Sequence, residues 1–356
     1  MNGLRRLASI DALRGCTVAL MLLVNDPGDG QHIYWPLEHA QWNGCTPTDF
    51  VFPFFLFVVG VSIALAIGPR VERGEDKGAL ARAAMKRAFR ILLLGVAINV
   101  LAWLVLPWAH LRFPGVLQRI GVCFAVAALF AIYTQARTQW AVIVAILLGY
   151  WGLLLAGGTM EPFANTVSRT DFAVFGRFVY LIDPATGRGH DPEGLLSCFP
   201  SLATSLLGLR AGQWLRDGRM KPLLVAGVVS LALGYAWSLM FPLNKNLWTS
   251  SFVLWTGGWA MLALTLFHVL VDKRGWPAIG RRFGVNAVAA YAGSELMQIL
   301  LPGLDIQDPL YQHAFASWIT PLAGPYVASL AYALAFVAVW WVVVYAMDRK
   351  QVYLKL

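Results

Sequence analysis

The sequence predicts an all-α integral membrane protein with about ten transmembrane helices and both termini on the cytoplasmic side. Three observations predict it. Hydrophobic residues make up 58% of the 356 and charged residues only 13%, where a soluble domain carries about 25% charged residues. That leaves too little polar surface to clothe a core of this size, so lipid has to supply part of the solvent. The apolar runs are too long, and alternate too little, to be strands. The cations fall between those runs and do so unequally: with the amino terminus inside, 22 of the 28 Lys and Arg residues lie on the inner side, the asymmetry that orients membrane proteins.

A spanning helix needs about 20 predominantly apolar residues. Such segments lie at 10–25, 49–68, 90–107, 114–133, 139–156, 193–212, 221–241, 249–271, 283–301 and 321–347. Asp11 and Arg14 are spaced to share a face at the inner end of the first span. Thr48 or Asp49 reads as the N-cap of the second. The stretch 70–90 follows Gly68-Pro69 and turns rich in Arg, Lys and Ala, which predicts a short interfacial helix running into the third span. Segments 25–48, 157–192 and 302–320 are the long outer connections. The 15 Trp residues suit the aromatic belts of a bilayer interface. The chain, 1–356, reads as a single membrane domain. No cleavable signal peptide is expected, because Asn25-Asp26-Pro27 follows the first apolar run in place of a small-residue cleavage site.

The net charge of +9 does not point to nucleic acid, since the cations sit in short loops as orientation signals. Cys16, Cys45, Cys123 and Cys198 are scattered without ligand spacing, and no metal is expected. No phosphate-binding glycine loop, dinucleotide-binding glycine motif, zinc-protease motif or nucleophile elbow is present in the sequence, which leaves ATP hydrolysis, dinucleotide cofactors and a zinc protease unsupported.

Polar groups that do not belong in lipid mark pairing or function. They are densest in the first outer loop. His39 is the candidate base, because histidine titrates near neutral pH without a large shift; the competing reading is an ordinary surface histidine. Asp49 either caps its helix or orients a histidine. His32 is a weaker candidate base, His190 and His313 read as loop residues, and His268 as a packing or interfacial residue. Asn99, Gln118, Arg119, Asn286 and Glu295 interrupt apolar runs. Arg119 and Glu295 either form a buried pair or each meet a ligand. The stretch Asn244-Lys245-Asn246-Leu247-Trp248 brings amides, a cation and an indole to the outer face, a composition that suits a sugar and equally a plain helix connection. The residues by themselves leave two classes open, a transporter and an intramembrane enzyme.

Longer motifs narrow the choice. The opening Ser9-Ile10-Asp11-Ala12-Leu13-Arg14-Gly15, ending in Val24-Asn25, is followed by His39-Ala40-Gln41-Trp42-Asn43-Gly44-Cys45-Thr46-Pro47-Thr48-Asp49 and then Phe52-Pro53. Together these resemble the heparan-α-glucosaminide N-acetyltransferase family of transmembrane acyltransferases. Further resemblance lies in Phe113-Pro114-Gly115-Val116-Leu117-Gln118-Arg119, in Asp191-Pro192-Glu193-Gly194, in the 244–248 stretch, and in Gly284-Val285-Asn286 with Tyr291. The resemblance implies an acetyl-CoA-dependent N-acyltransferase that moves an acetyl group from cytosolic acetyl-CoA to the amine of a glucosamine-type sugar. The acceptor would lie on the periplasmic side of a bacterial inner membrane, and the enzyme would be a homodimer. It implies His39 as the active-site histidine, acting as general base or acetyl acceptor, and Asn25 beside the acetyl group. Asp49 is then the residue that holds the imidazole. Trp42, Asn43, Asn244, Lys245, Asn246, Trp248, Asn286 and Glu295 become candidates for the acceptor side. Arg14, Arg87, Arg90, Arg119, Arg281 and Arg282 become candidates for the coenzyme A side. The first loop departs from the family in carrying Asn25-Asp26-Pro27-Gly28 where the family has a glycine run, which bears on the choice of acceptor. A secondary transporter of sugars or amino sugars is the alternative reading.

Overall fold

A computed structural model describes residues 7–107 and 109–354. The expected inner cations Arg5, Arg6 and Lys355 lie outside the described residues. The long helices are α1 (Ala8–Asn25), α2 (Val51–Ala66), α3 (Lys77–Val105), α4 (Val116–Tyr133), α5 (Ala136–Ala156), α6 (Cys198–Arg216), α7 (Met220–Ser238), α8 (Ser250–Phe267), α9 (Ala287–Gly303) and α10 (Pro325–Arg349). Among the described residues, eight helices are long and apolar enough to cross a membrane.

The two expected spans outside that set, α6 and α9, differ from the rest for physical reasons. α6 packs against α2, α4, α5, α7 and α8, and most of it is buried, including Ser201, Thr204, Ser205 and Arg210. A helix largely enclosed by other helices turns little of its surface to lipid, so it can carry hydroxyls and a guanidinium that a lipid-facing helix cannot. α9 is 17 residues long, with Pro302 in its last turn, and carries Ser294 and Glu295 on its path.

Close backbone approach holds the centre together. A Cβ at Gly60 of α2 would run into the Ser205 carbonyl of α6, and one at Gly208 would run into the Phe57 carbonyl. Such contact is the main source of helix association where lipid is as apolar as leucine. α1 lies equally close to the short helix Arg281–Val285, where Gly15 and Gly284 face the backbone of Gly280 and Asp11. Outside this core, Leu104, Val225, Leu239 and Leu322 point outward, as lipid contact requires.

Only residues 77–90 of the 70–90 stretch are continuous with the third span: α3 runs 29 residues without a break, capped by Asp76, which accepts from the Gly78 and Ala79 amides, and a separate short helix, Gly68–Glu72, precedes it. The connection 157–192 is more ordered than a loop. It contains the helix Thr166–Phe175, capped by Asn165, and an antiparallel pair of two-residue strands, β1 (Leu181–Ile182) and β2 (Gly189–His190). The 302–320 connection is largely helical too, with Gln307–Tyr311 and Ser317–Ala323. The Ser9 amide bonds Asp272 at 3.2 Å, and Arg281 and Arg282 reach Asp348 at 3.5 and 3.8 Å. These contacts gather the start of α1, the chain beyond α8, the approach to α9 and the end of α10 at one end of the bundle. The His39 loop caps the other end.

Candidate active site

The chain enters α2 through a 3₁₀ turn, Pro47–Phe50, and the cap of that turn builds the site. Thr46 is the N-cap and Asp49 the third residue of a reciprocal capping box. This corrects the expected cap at Thr48 or Asp49. Pro47 keeps the preceding residue extended, which sets the cap at Thr46, and the Thr48 hydroxyl instead donates to the Pro36 carbonyl at 3.0 Å. Asp49 is fully buried and its two oxygens divide the work. Oδ2 accepts from the Thr46 amide at 2.9 Å and the Ala40 amide at 3.1 Å, while the Thr46 hydroxyl beside it gives its one proton to the Glu38 carbonyl at 2.6 Å. Oδ1 lies 2.7 Å from His39 Nδ1. The capping role and the histidine-orienting role therefore coexist in one carboxylate. A carboxylate only accepts, so Nδ1 carries the proton and the Nε2 lone pair is left for chemistry. The imidazole itself is about half exposed, at 49%.

Lys245 comes from the far side of the loop before α8. Its Nζ stands 3.0 Å from His39 Nε2 and 3.1 Å from Nδ1. An atom that close to both ring nitrogens cannot lie in the ring plane without striking Cε1 between them. The ammonium therefore stands over the ring face and leaves the in-plane lone pair of Nε2 open. Burial holds the Lys245 ammonium below the ordinary lysine value, against the pull of Asp49 and Glu193. The loop is held rigidly. Asn244 accepts from the Leu247 amide at 2.8 Å and donates to Asn43 Oδ1 at 3.1 Å, so it acts as a turn bracket. Trp248 sits at φ 52 in the left-handed region, where a bulky residue is strained. Four contacts keep it there: its Nε1 donates to Thr204 at 3.1 Å, Phe52 and Phe252 meet its ring edge-on, and Arg119 lies 5.1 Å over it.

Behind Lys245 lies a buried charged cluster. Arg112 holds Asp191 through two bonds, of 2.8 and 2.5 Å, and also pairs with Glu193. Glu193 acts electrostatically on Lys245, Arg119 and Glu295. Arg119, 1% exposed, donates to Ser197 and to the Gly194 carbonyl, while its Nε and Nη1 have no partner. No ion pair joins Arg119 to Glu295 among the described residues. Asp26, at the end of α1, accepts from Gln298 of α9 at 3.1 Å. Burial first, and the Glu295 charge second, push its carboxyl up to about 8. Nearby, Trp42 donates to the Met160 carbonyl at 2.9 Å and meets His190 edge-on. His190 is buried in β2 and bonded to Ser168 at 2.9 Å, where a loop histidine was expected, and burial pushes it down to about 4.

A cavity of about 590 Å³ approaches from the opposite end of the bundle. Arg14, Arg70 and Arg87 line it, along with apolar walls that include Phe55 and Leu117. Arg14 also bonds Asp11 at 3.2 Å, Ser62 at 2.6 Å and the Gly284 carbonyl at 3.1 Å; Arg87 lies over Phe124. The inner limit of the cavity includes Phe55 and Tyr291. Phe55 is six residues beyond Asp49, about 9 Å of helix rise. The carboxylate that holds His39 is thus about two helical turns from a cavity-lining ring.

The structure thus gathers His39, Asp49, Lys245, Asn244, Asn43 and Trp248 at one end and Arg14 with Arg87 in the cavity. Asn246 is half-buried in the Lys245 loop, and Asn25 is exposed at the end of α1. Asn286 is fully buried between two cavity-lining residues, with neither amide atom partnered. Arg90 is exposed on α3 outside the cavity, and Arg281 and Arg282 face Asp348, the latter over Tyr345 at 4.5 Å. Sequence reasoning gave no role to Arg70, Arg112, Asp191, Glu193 or Asp26. For Asp191 and Glu193 the signal was present in the motif that contains them; a lone loop arginine such as Arg112 gives none.

Fold and site define a multi-pass membrane protein with a carboxylate-oriented histidine at one end and an arginine-lined cavity opening toward the other. Residues 6–241 match the family model described as heparan-alpha-glucosaminide N-acetyltransferase, catalytic, and the chain belongs to that family. It is 27% identical to the human heparan-alpha-glucosaminide N-acetyltransferase over 414 aligned positions, covering 99% of this chain and 60% of the human protein. It is 28% identical to the mouse protein of the same name, covering 83% of this chain and 54% of that relative. The chain thus spans little more than half the length of these relatives.

Proposed function

We propose that the protein transfers an acetyl group from acetyl-CoA, bound through the arginine-lined cavity, to the amine of a glucosamine-type sugar at the His39 end. One observation carries the reading: His39 has its Nδ1–H committed to Asp49 and Nε2 open, and Asp49 lies about 9 Å of helix rise from Phe55, which lines a cavity that also holds three arginines. Arg14, Arg70 and Arg87 suit the phosphates of the coenzyme, and the apolar walls suit a slender pantetheine arm. His39 takes a proton from the amine as it attacks the thioester carbonyl, then returns it to the departing sulfur. Asn25 or Asn286 donates to the developing oxyanion, where losing one donor costs about 10²–10³ in rate. An acetyl-histidine route uses the same residues.

The excess of Lys and Arg at the amino-terminal end supports a cytoplasmic cavity mouth, with the His39 loop at the periplasmic face of a bacterial inner membrane. The resemblance supports a homodimer as the working unit. The test is acetyl transfer from radiolabelled acetyl-CoA to glucosamine by the purified protein, with His39→Ala alongside. Product from the wild type, and none from a folded His39→Ala, is the expected result. No product from either, together with sugar flux into vesicles in the absence of acetyl-CoA, would replace this reading with transport.

A further inference from the structure

The acceptor amine arrives as an ammonium, since an α-amino group has a pKa near ~8, and an ammonium has no lone pair. One proton has to leave before attack and a second as the C–N bond forms. His39 has room for one, at Nε2, because Nδ1–H is held by Asp49. Lys245 is a cation over the ring. Asp191 and Glu193 are both committed to Arg112. Among the acids around the site, Glu295 differs. It lies one turn along α9 from Tyr291, which lines the cavity. Gln298, three residues further along α9 on the same face, donates to Asp26 at the end of α1 at 3.1 Å, which turns this face of α9 toward Asn25 and Asp26. The charged and titratable groups around Glu295 are the Tyr291 hydroxyl on its own helix, Asp26, Arg112 before α4, and Glu193 before α6. The one cation in this set, Arg112, is already bonded to two other carboxylates. No ion pair includes Glu295 among the described residues. An acid inside a span with no bonded cation is costly and is retained for a purpose.

We propose that Glu295 is the group that meets the acceptor's ammonium and takes its first proton; the inference rests on the acetyl-transfer reading above. The steps balance. The ammonium gives one proton to the Glu295 carboxylate. The neutral amine forms the C–N bond and its second proton passes to His39 Nε2. The C–S bond breaks, the sulfur leaves with the bonding pair, and it takes the proton from His39. Glu295 then releases its proton to water. The products are the amide, the thiol and one proton.

The experiment compares two acceptors at pH 6: glucosamine, which is an ammonium, and O-methylhydroxylamine, which is already neutral. Glu295→Gln should lose at least about 10²-fold in kcat/KM on glucosamine, the scale of a positioned proton acceptor, and less than about threefold on the neutral amine. Equal losses on both, or no loss on either, would overturn the assignment. Should Glu295→Gln fail to fold, Glu295→Asp carries the same comparison: a loss confined to glucosamine supports the role, and an even loss overturns it. A wild type that acetylates neither acceptor would instead overturn the acetyl-transfer reading.

Discussion

Asp49→Asn separates chemistry from folding at this site. The two donors on Asp49 Oδ2, the Thr46 and Ala40 amides at 2.9 and 3.1 Å, need an oxygen, and the asparagine carbonyl supplies it. The amide nitrogen then faces His39 Nδ1 at the position that Oδ1 holds at 2.7 Å. An NH₂ donates, so Nδ1 has to accept and the imidazole proton moves to Nε2. The cap survives and the base is in the wrong tautomer. In a serine protease triad the same change costs about 10⁴ in turnover, which is about 5.4 kcal/mol of transition-state stabilisation. Asp49→Ala differs in kind. It orphans two backbone donors at about 1–3 kcal/mol each, a large fraction of a domain's stability of about 5–15 kcal/mol. The assay is acetyl transfer to glucosamine, with thermal melting in detergent on the same samples. Asp49→Asn should melt near the wild type and lose about 10³–10⁴ in kcat, while Asp49→Ala should fail to yield folded protein. The double variant His39→Ala/Asp49→Asn should be no slower than His39→Ala, since both remove one device. A folded Asp49→Asn with more than about a tenth of wild-type turnover would refute the argument, because a 10⁴ effect leaves no such residue of activity.

Two further predictions address the cavity and the end of α1. Arg87→Gln should raise the KM for acetyl-CoA about tenfold, the scale of one charge-assisted contact, with little change for acetyl-pantetheine, which lacks the phosphates. Arg281→Gln, whose partner is Asp348, should leave both constants unchanged, and steady-state kinetics with the two donors reads the difference. Asp26 gives a pH signature. Its folded carboxyl titrates at about 8, against roughly 4 in the unfolded chain. Between those values the folded state holds a proton that the unfolded chain has lost, so stability falls as pH rises. The full loss, above pH ~8, is on the order of 5 kcal/mol. Asp26→Asn should therefore melt higher than the wild type at pH 8.5 and close to it at pH 4.5, and parallel melting curves across that range would contradict the buried-acid account.

The sequence determined the environment and the long elements of this protein. Too few polar residues for a soluble surface, and apolar runs of spanning length, leave little alternative to a helical bundle in lipid, because a backbone in hydrocarbon has to satisfy its own hydrogen bonds. The histidine was legible for a related reason: polar chemistry crowds into the loop 25–48 next to a helix start. The tertiary structure decided which residues meet. Lys245 lies about two hundred positions from His39, and its ammonium reaches the ring through loop packing around a strained Trp248. The sequence could not show that Arg14, Arg70 and Arg87 share one cavity while Arg281 and Arg282 turn to Asp348. Charge counting treats all inner arginines alike, whereas their partners depend on helix rotation and on glycine contacts such as Gly15 against Gly280. The same holds for α6, whose hydroxyls and arginine weaken it as a span by composition, while its central place buries them among other helices. Local patterning records what each segment needs from its solvent; the pairing of distant side chains is set by how the helices close on one another.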